Sequence, residues 1–192
     1  MPVPPDNWLN DEVINYACRV FVQPRQAEHR RKVHVYNSYF MTMLMRCVGR
    51  TDSCNFSDVH GFDGRIHGGL SSLDELYIPV NLNDNHWIFI RVIFSSKVIE
   101  LWDSTGIKVV HESSLRATHK YLHYALHKGL EGGAPPYETW LVDWTAVNRS
   151  NDSPRQINGA DCGIFMLTSM ALLRSGDRLE PRSYTQEMLS FR

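Results

Sequence analysis

Residues 75–104 read ELYIPVNLNDNHWIFIRVIFSSKVIELWDS and carry the clearest secondary-structure pattern in the chain. Three segments of this stretch are rich in β-branched and aromatic residues, which favour β-strands. The segments are separated by NDN and SSK, polar breaks that are short enough to be hairpin turns. The pattern therefore predicts three consecutive antiparallel strands, at 75–82, 86–94 and 97–103.

Helical patterns lie on both sides of these strands. Apolar residues spaced three and four apart predict four helices, at about 11–22, 35–49, 112–129 and from Cys162 onward. The segment ETWLVDWTAV at 138–147 indicates another strand, and the polar tail indicates one more short helix. Helices on both sides of a run of strands indicate an α+β fold with a central, mostly antiparallel sheet.

Length and composition restrict the class of protein. The chain has 192 residues, enough for one domain with a core, and we predict a single domain over 1–192. A formal net charge of -1 gives no reason to expect nucleic acid as a partner. No apolar run is long enough to cross a membrane, so we predict a soluble intracellular protein. Four cysteines are a low density, which favours reduced thiols over a disulfide framework.

Cys162 stands where polar sequence meets apolar sequence in QINGADCGIFML, residues 156–167. The apolar part predicts a buried helix with Cys162 in its first turn, where free amides and the helix dipole favour a thiolate. Gly159 and Gly163 would leave room for a substrate backbone, and Asp161 would be the N-cap residue. The alternative is a cysteine that only packs in the core. The helix alone does not decide between the two.

A thiol nucleophile needs a histidine base, and the base needs an acceptor for its other ring nitrogen. His86 begins one predicted strand and Asp103 ends the next, so a hairpin would bring them together. Gln156 precedes Cys162 by six residues, and its amide could act with the Cys162 N–H on a developing oxyanion. Each residue also has an ordinary interpretation: a polar strand edge for His86, a turn cap for Asp103 and a solvated loop for Gln156.

Four blocks, WLNDEVIN, IPVNLNDNHW, LWDS and QINGADCGIF, are similar to the signature blocks of the ubiquitin-like-protein-specific cysteine proteases. These are the SUMO and NEDD8 proteases in the adenain-like branch of the papain-like superfamily. The blocks follow that family's order and span residues 8–167. The resemblance implies the papain-like fold, with the catalytic cysteine at the N-terminus of a buried helix. Residues 50–73, rich in Gly, Asp and Ser, match no block of the family and are interpreted as a loop or insertion.

The resemblance also implies a role for each residue of the Cys162 group. It implies His86 as the general base, Asp103 as its orienting partner, Cys162 as the nucleophile and Gln156 as the oxyanion donor. It implies no cofactor.

Three further residues match substrate-binding positions of the family. Trp87, directly after the base, and Trp8 match two tryptophans that close a narrow tunnel over the substrate's C-terminal Gly-Gly. Only residues without side chains can pass between two indole faces, so such a tunnel selects by exclusion. Asp11 would contact the body of the modifier. Core packing is the alternative for both tryptophans, and helix capping is the alternative for Asp11.

Two groups of histidines and cysteines have to be weighed as metal sites. One is His119, His123 and His127 on a single helix face, and the other is Cys47, Cys54, His60 and His67. The first has no Glu or Cys partner at metal spacing, and the second has spacings that are wide for a zinc finger. We therefore predict a solvated helix face for the three histidines, and no metal.

The resulting prediction is a thiol isopeptidase and endopeptidase that cleaves after the C-terminal Gly-Gly of a ubiquitin-like modifier, in the nucleus or the cytoplasm. The segments DEVIN and VYNSYFMTML resemble SUMO proteases more than NEDD8 proteases. SUMO and its conjugates are therefore the expected partners, of a monomeric enzyme. A NEDD8 or ubiquitin protease, an acetyltransferase on the same fold and a non-catalytic module that binds a ubiquitin-like protein remain open.

Overall fold

The computed structural model describes residues 8–23, 31–49, 56–106 and 111–189, and these contain one five-stranded sheet. The strands lie beside one another in sequence order. Their bounds are β1 Val33–Val35, β2 Glu75–Leu82, β3 His86–Ile93, β4 Val98–Trp102 and β5 Thr145–Asn148.

The three central strands pair as two antiparallel hairpins, which confirms the prediction. The β2–β3 turn contains Asn83 and Asp84 with φ of 51° and 57°, left-handed values that Asn and Asp tolerate better than most residues. This turn sets Leu82 opposite His86. The two edge pairs, β1–β2 and β4–β5, are parallel, because helical segments carry the chain back across the sheet. The expectation of a mostly antiparallel sheet thus holds for its centre and is wrong for its edges.

Seven α-helices of the described residues surround the sheet. They are α1 Asp11–Ala17, α2 Tyr39–Val48, α3 Ser57–His60, α4 Glu112–His127, α5 Tyr137–Leu141, α6 Cys162–Ser175 and α7 Gln186–Leu189. A π-helical turn, Cys18–Val22, continues α1, and two 3₁₀ turns lie at Gly61–Arg65 and Leu70–Ser72. The predicted helices at 11–22, at 112–129, from Cys162 and in the tail are confirmed. None of these described helices is long and apolar enough to cross a membrane.

The sheet separates two apolar clusters. Successive side chains of a strand point to opposite faces, and β3 follows this rule. Ile88 and Ile90 belong to the cluster that includes residues of α2 and α4, whereas Trp87 and Phe89 belong to the cluster that includes residues of α6. Helix α6 therefore packs on the strand that begins at His86. This packing brings the predicted nucleophile, at the start of α6, close to the predicted base, at the start of β3.

Two predicted elements differ from the structure. The predicted helix at 35–49 begins only at Tyr39, and the short strand β1, which was not predicted, ends at Val35. The predicted strand at 138–147 is half helix, because α5 occupies its first part and β5 its last. Trp140 and Trp144 are both buried and their rings lie 5.2 Å apart. Apolar residues four apart fit a helical turn, and here their packing outweighs the β-propensity of the segment.

The described part of the predicted insertion, 56–73, consists of short helical turns with a buried carboxylate. Asp63 accepts hydrogen bonds from the hydroxyls of Tyr36 and Tyr121, the second at 2.7 Å, and lies 3.0 Å from His60 Nδ1. These contacts join the segment to the β1–α2 connection and to α4. The prediction of a loop or insertion is therefore correct in outline, but the segment is anchored in the core.

The three histidines of α4 do not form a solvated face, so this expectation is wrong. His119 is buried, and its Nε2 has no hydrogen-bond partner among the described residues. Burial lowers the pKa of His119. The rings of His123 and His127 lie 5.3 Å and 6.2 Å from the ring of Trp140. Within the described ranges, no group of three or more His, Cys, Asp or Glu side chains could hold a metal ion.

Candidate active site

His86 and Asp103 meet at one end of the central hairpin. His86 begins β3 and Asp103 follows β4 directly, and His86 Nε2 lies 2.8 Å from Asp103 Oδ1. The sequence-based prediction that a hairpin brings the two together is confirmed. Their catalytic roles remain predictions.

Asp103 is held by more contacts than the sequence suggested. It is 3% exposed, and its Oδ1 accepts from the Thr105 backbone N–H at 2.9 Å and from the Thr105 hydroxyl at 2.8 Å. His111 Nε2 lies 3.8 Å from Oδ2. Burial raises the pKa of Asp103, but His111, His86 and the Thr105 amide lower it more, so its pKa lies well below the usual range. Asp103 is therefore a carboxylate at neutral pH.

Cys162 is the first residue of α6, where its thiol is free and 1% exposed. The side chain of His86 lies close to this thiol and interacts with it. Because Nε2 of His86 faces the Asp103 carboxylate, Nδ1 is the ring nitrogen that remains to exchange a proton with the Cys162 thiol. Burial lowers the pKa of His86, but the hydrogen bonds with Asp103 and Cys162 raise it to about 9. His86 is thus an imidazolium at neutral pH.

The other cysteines lack this surrounding. Cys18 is a buried free thiol, and burial raises its pKa to about 12, so it remains protonated and unreactive. Cys47 is disulfide-bonded, so the expectation of reduced thiols is wrong at that position. Cys54 lies outside the described residues. Of the two free thiols described, only Cys162 is paired with a base.

The N-terminus of α6 is organised differently from the prediction. Asp161 occupies the N-cap position, but its side chain makes no capping hydrogen bond. Its carboxylate instead accepts from Asn158 Nδ2 at 3.0 Å and from Gln186 Nε2. Asn158 Oδ1 in turn accepts from the Ala160 and Asp161 amides, both at 3.1 Å. The side chain of Asp161 therefore holds the preceding loop and leaves the first helical amides to other acceptors.

Gln156 is fixed against the residue that follows Asp103. Its backbone N–H donates to the Ser104 carbonyl at 3.1 Å, and its side-chain Oε1 accepts from the Ser104 hydroxyl at 2.5 Å. Its Nε2 donates to the Asn158 carbonyl at 2.7 Å. A side-chain amide has two N–H groups, so one remains for a further acceptor. This geometry suits an oxyanion donor that is already oriented.

Of the two glycines on either side of Cys162, Gly159 and Gly163, only Gly159 lies where a substrate could use the space. Around Gly159, nothing lies within 4 Å of where a Cβ would be. At Gly163, a Cβ would lie 3.2 Å from side-chain atoms of both Leu9 and Ile14. Gly163 therefore allows α6 to pack closely on the N-terminal segment, and the prediction that it gives access to substrate is wrong.

The predicted substrate-binding residues lie at the start of the described chain and beside His86. Trp87 is 4% exposed and donates from Nε1 to the Leu9 carbonyl at 2.7 Å. Trp8, the residue before Leu9, is 37% exposed. The helix-capping alternative for Asp11 is wrong, because Asn10 caps α1 through the Val13 amide at 3.0 Å.

Some residues of the site were not predicted from the sequence. Ser104 and Thr105 follow Asp103 directly, so the polar run after the strand was a usable signal. His111 and Gln186 carried no such signal, because nothing in their local sequence points to the site. Both reach it only through the tertiary fold.

A family model described as "Ulp1 protease family, C-terminal catalytic domain" matches residues 7–192. This chain belongs to the Ulp1 protease family. Among its Ulp1-family relatives, the sentrin-specific protease 5 of Mus musculus and that of Homo sapiens are each 32% identical over 162 residues, which are 84% of this chain and 18% of the relative. The ubiquitin-like-specific protease 1A of Arabidopsis thaliana is 27% identical over 192 residues, 97% of this chain and 35% of the relative. The chain spans well under half the length of these relatives.

Solved structures of Ulp1-like proteases share the fold. The C-terminal Ulp1 protease domain in complex with Smt3, the yeast ortholog of SUMO, matches with a TM-score of 0.73 at 21% identity, over 97% of this chain and 73% of that chain. The Xanthomonas campestris effector XopD bound to ubiquitin matches with a TM-score of 0.58 at 20% identity, over 91% of this chain and 78% of that chain. The predicted fold class is confirmed.

Proposed function

We propose that this chain is a thiol isopeptidase and endopeptidase that cleaves after the C-terminal Gly-Gly of a ubiquitin-like modifier, with SUMO as the preferred modifier. The observation that carries the proposal is the contact of His86 with both Asp103 and Cys162 in a domain of the Ulp1 family. A buried carboxylate, a protonated imidazole and a thiol at a helix start are the components of a cysteine nucleophile.

In the proposed reaction, the Cys162 thiolate attacks the carbonyl carbon of the terminal Gly. The carbonyl oxygen becomes negatively charged and accepts hydrogen bonds from the free Gln156 N–H and the Cys162 backbone N–H. The bond to the leaving amine then breaks, and the His86 imidazolium gives its proton to that amine. His86, now neutral, takes a proton from water, and the resulting hydroxide hydrolyses the thioester. The products are the free modifier and the regenerated thiol–histidine pair.

Substrate selection is assigned to Trp8, Trp87 and Asp11, which lie at the start of the described chain and beside His86. Trp8 and Trp87 would form the two walls of a tunnel for Gly-Gly, and the hydrogen bond from Trp87 to Leu9 supports this because it holds the residue next to Trp8 beside His86. Asp11 would contact the modifier body. Its carboxylate accepts a hydrogen bond from the Ser38 hydroxyl at 2.5 Å, which fixes its orientation.

The relatives favour SUMO over other modifiers. The names of the relatives include sentrin-specific proteases, and the Ulp1 domain was solved with Smt3. Ubiquitin is the second candidate, because the XopD structure contains ubiquitin. The named relatives are proteases, which does not support an acetyltransferase or a module that only binds. We propose the nucleus or the cytoplasm as the location of the protein, in keeping with the sequence-based expectation.

The proposal is tested with three probes, SUMO, NEDD8 and ubiquitin, each carrying an electrophile in place of its terminal carboxylate. We expect the SUMO probe to form a covalent adduct, detected as a mass shift and mapped to Cys162. The Cys162→Ala variant should form no adduct and should still bind SUMO. Labelling by ubiquitin or NEDD8 but not by SUMO would overturn the choice of modifier. An absence of labelling by all three would overturn the proposed activity.

Gln156→Ala is expected to lower kcat about 10²–10³-fold, the usual cost of losing one oxyanion donor. The measurement is steady-state cleavage of a SUMO fusion at its Gly-Gly. Ile157→Ala is the matched control, because Ile157 is the next residue and its side chain is 83% exposed. Thermal unfolding of both variants separates a catalytic effect from a loosened loop. An unchanged kcat would mean that Gln156 only holds Ser104 and Asn158.

A further inference from the structure

The chain after α6 returns to the active site. Tyr184 is buried, donates from its hydroxyl to the Phe165 carbonyl at 2.7 Å and lies 2.5 Å from the Ser169 hydroxyl. Two residues later, Gln186 reaches the residues that precede Cys162. The segment therefore runs back along α6 towards the N-terminal end of that helix, and Tyr184 holds it there.

The side chain of Gln186 joins the two ends of the 157–161 loop, the five residues between Gln156 and Cys162. Its Oε1 accepts from the Ile157 backbone N–H at 3.2 Å, and its Nε2 donates to the Asp161 carboxylate. Gln186 is 7% exposed, and its bonds to Ile157 and Asp161 are partly buried. One buried amide thus spans the loop from its first residue to its last.

Apolar packing in this loop is limited to Ala160, which is 7% exposed. The Ile157 side chain is 83% exposed, and the space around Gly159 is open. The loop conformation therefore depends largely on hydrogen bonds. Asn158 makes some of them within the loop, and Gln156 and Gln186 make the others from outside it. The two groups assigned to the oxyanion, the Gln156 amide and the Cys162 N–H, flank this loop on either side. Their separation is set by the conformation of residues 157–161.

We propose that Gln186 is a positioning residue for oxyanion stabilisation: by bridging Ile157 and Asp161, it fixes the distance between the two oxyanion donors. The inference rests on the proposed function, since it concerns the same site. A misplacement of a reacting or stabilising group by about 1 Å can cost about 100-fold in rate. Gln186 acts through the loop.

The first test is the Gln186→Met variant, which keeps the length of the side chain and removes the hydrogen bonds to Ile157 and Asp161. We expect kcat for a SUMO fusion to fall by up to about 100-fold, with KM within about twofold, because binding lies on other surfaces. Gln186→Glu keeps the acceptor for Ile157 but places a carboxylate against Asp161, so it should lose at least as much. Met188→Ala, an exposed position of the same helix, is the control and should match the wild type.

Two further readouts separate positioning from a general loss of structure. Alkylation of Cys162 by iodoacetamide needs the thiolate but no oxyanion donor, so its rate should be unchanged in Gln186→Met. In a double-mutant cycle with Gln156→Ala, the double variant should be about as slow as Gln156→Ala alone, because both changes disable the same donor. Tyr184→Phe removes the hydroxyl that anchors the segment. Its main effect should be a lower melting temperature, with only a small change in kcat.

An unchanged kcat in Gln186→Met would overturn the inference and leave the proposed function intact. Losses that multiply in the double variant would also overturn it, because Gln186 would then act independently of Gln156. A fall in alkylation that parallels the fall in kcat would overturn it as well, since the defect would lie in the nucleophile. If the wild-type chain cleaves none of the modifier fusions, the proposed function itself fails, and the inference fails with it.

Discussion

Replacing Cys162 with alanine is expected to lower the turnover of a SUMO fusion by at least about 10⁴-fold, because no other group can form the thioester. His86 and Asp103 would remain but would have no nucleophile to activate. The measurement is single-turnover cleavage at high enzyme concentration, followed by gel or mass spectrometry. Affinity for SUMO should persist, since the change removes one sulfur atom that is 1% exposed.

Cys18→Ala is the matched control for this prediction. Cys18 is also a buried free thiol, and it packs in the same apolar cluster as Cys162. Its replacement should cost a similar small amount of stability and leave turnover unchanged. If Cys162→Ala still cleaved the fusion, the nucleophile would have to be another group, and the proposed mechanism would be wrong.

The second large effect is expected for Asp103→Asn. At neutral pH, kcat should fall by up to about 10⁴-fold, since an amide in place of the carboxylate orients the imidazole wrongly and does not stabilise its charge. Asp103 also helps to raise the pKa of His86 to about 9. Without that carboxylate, the pKa of His86 should fall towards its ordinary value near 6.5.

The pH dependence of kcat/KM shows in which direction the pKa of His86 changes in Asp103→Asn. The active form has a protonated His86, so wild-type kcat/KM should decrease as the pH rises through about 9. In Asp103→Asn, the alkaline limb should move to lower pH. Asp143→Asn is the control, because Asp143 has a 59% exposed side chain and pairs with Lys97 away from the site. A profile with the same alkaline limb in the variant would contradict the assigned role of Asp103.

The raised pKa of His86 also makes the free energy of unfolding depend on pH. Because the pKa of His86 is raised on folding, its contribution to stability is fully present below about 6.5, the usual value in the unfolded chain. The contribution is lost as the pH rises through about 9. The free energy of unfolding of the wild type should therefore fall between these two pH values, and it should fall less in Asp103→Asn.

The central hairpins and the His86–Asp103 pair could be predicted from the sequence because both depend on local features. Strand composition, short polar turns and the direction of an antiparallel pair are visible within residues 75–104. The position of Cys162 at a helix start is equally local, because apolar sequence follows it directly.

The features that were missed depend on contacts distant in sequence. The three-residue strand β1 is specified by its pairing with β2 and has no pattern of its own. Asp161 has the sequence of a helix cap, but its carboxylate instead accepts a hydrogen bond from Gln186, 25 residues later. His119 lies on the buried face of α4 together with Leu115 and Leu122, and this face packs against the rest of the fold. In each case, a tertiary contact outweighs a local preference.

The close approach at Gly163 constrains how this protein can vary. Leu9 lies against Gly163 with its side chain, and its carbonyl holds the Trp87 indole. A larger residue at 163 would place its Cβ 3.2 Å from side-chain atoms of Leu9 and Ile14, which would have to shift by a few tenths of an ångström. The shift would fall on the residue whose carbonyl holds the tryptophan beside His86. Residues 9, 87 and 163 belong to segments far apart in the sequence and depend on one another through these contacts. In evolution, they should therefore change together or not at all.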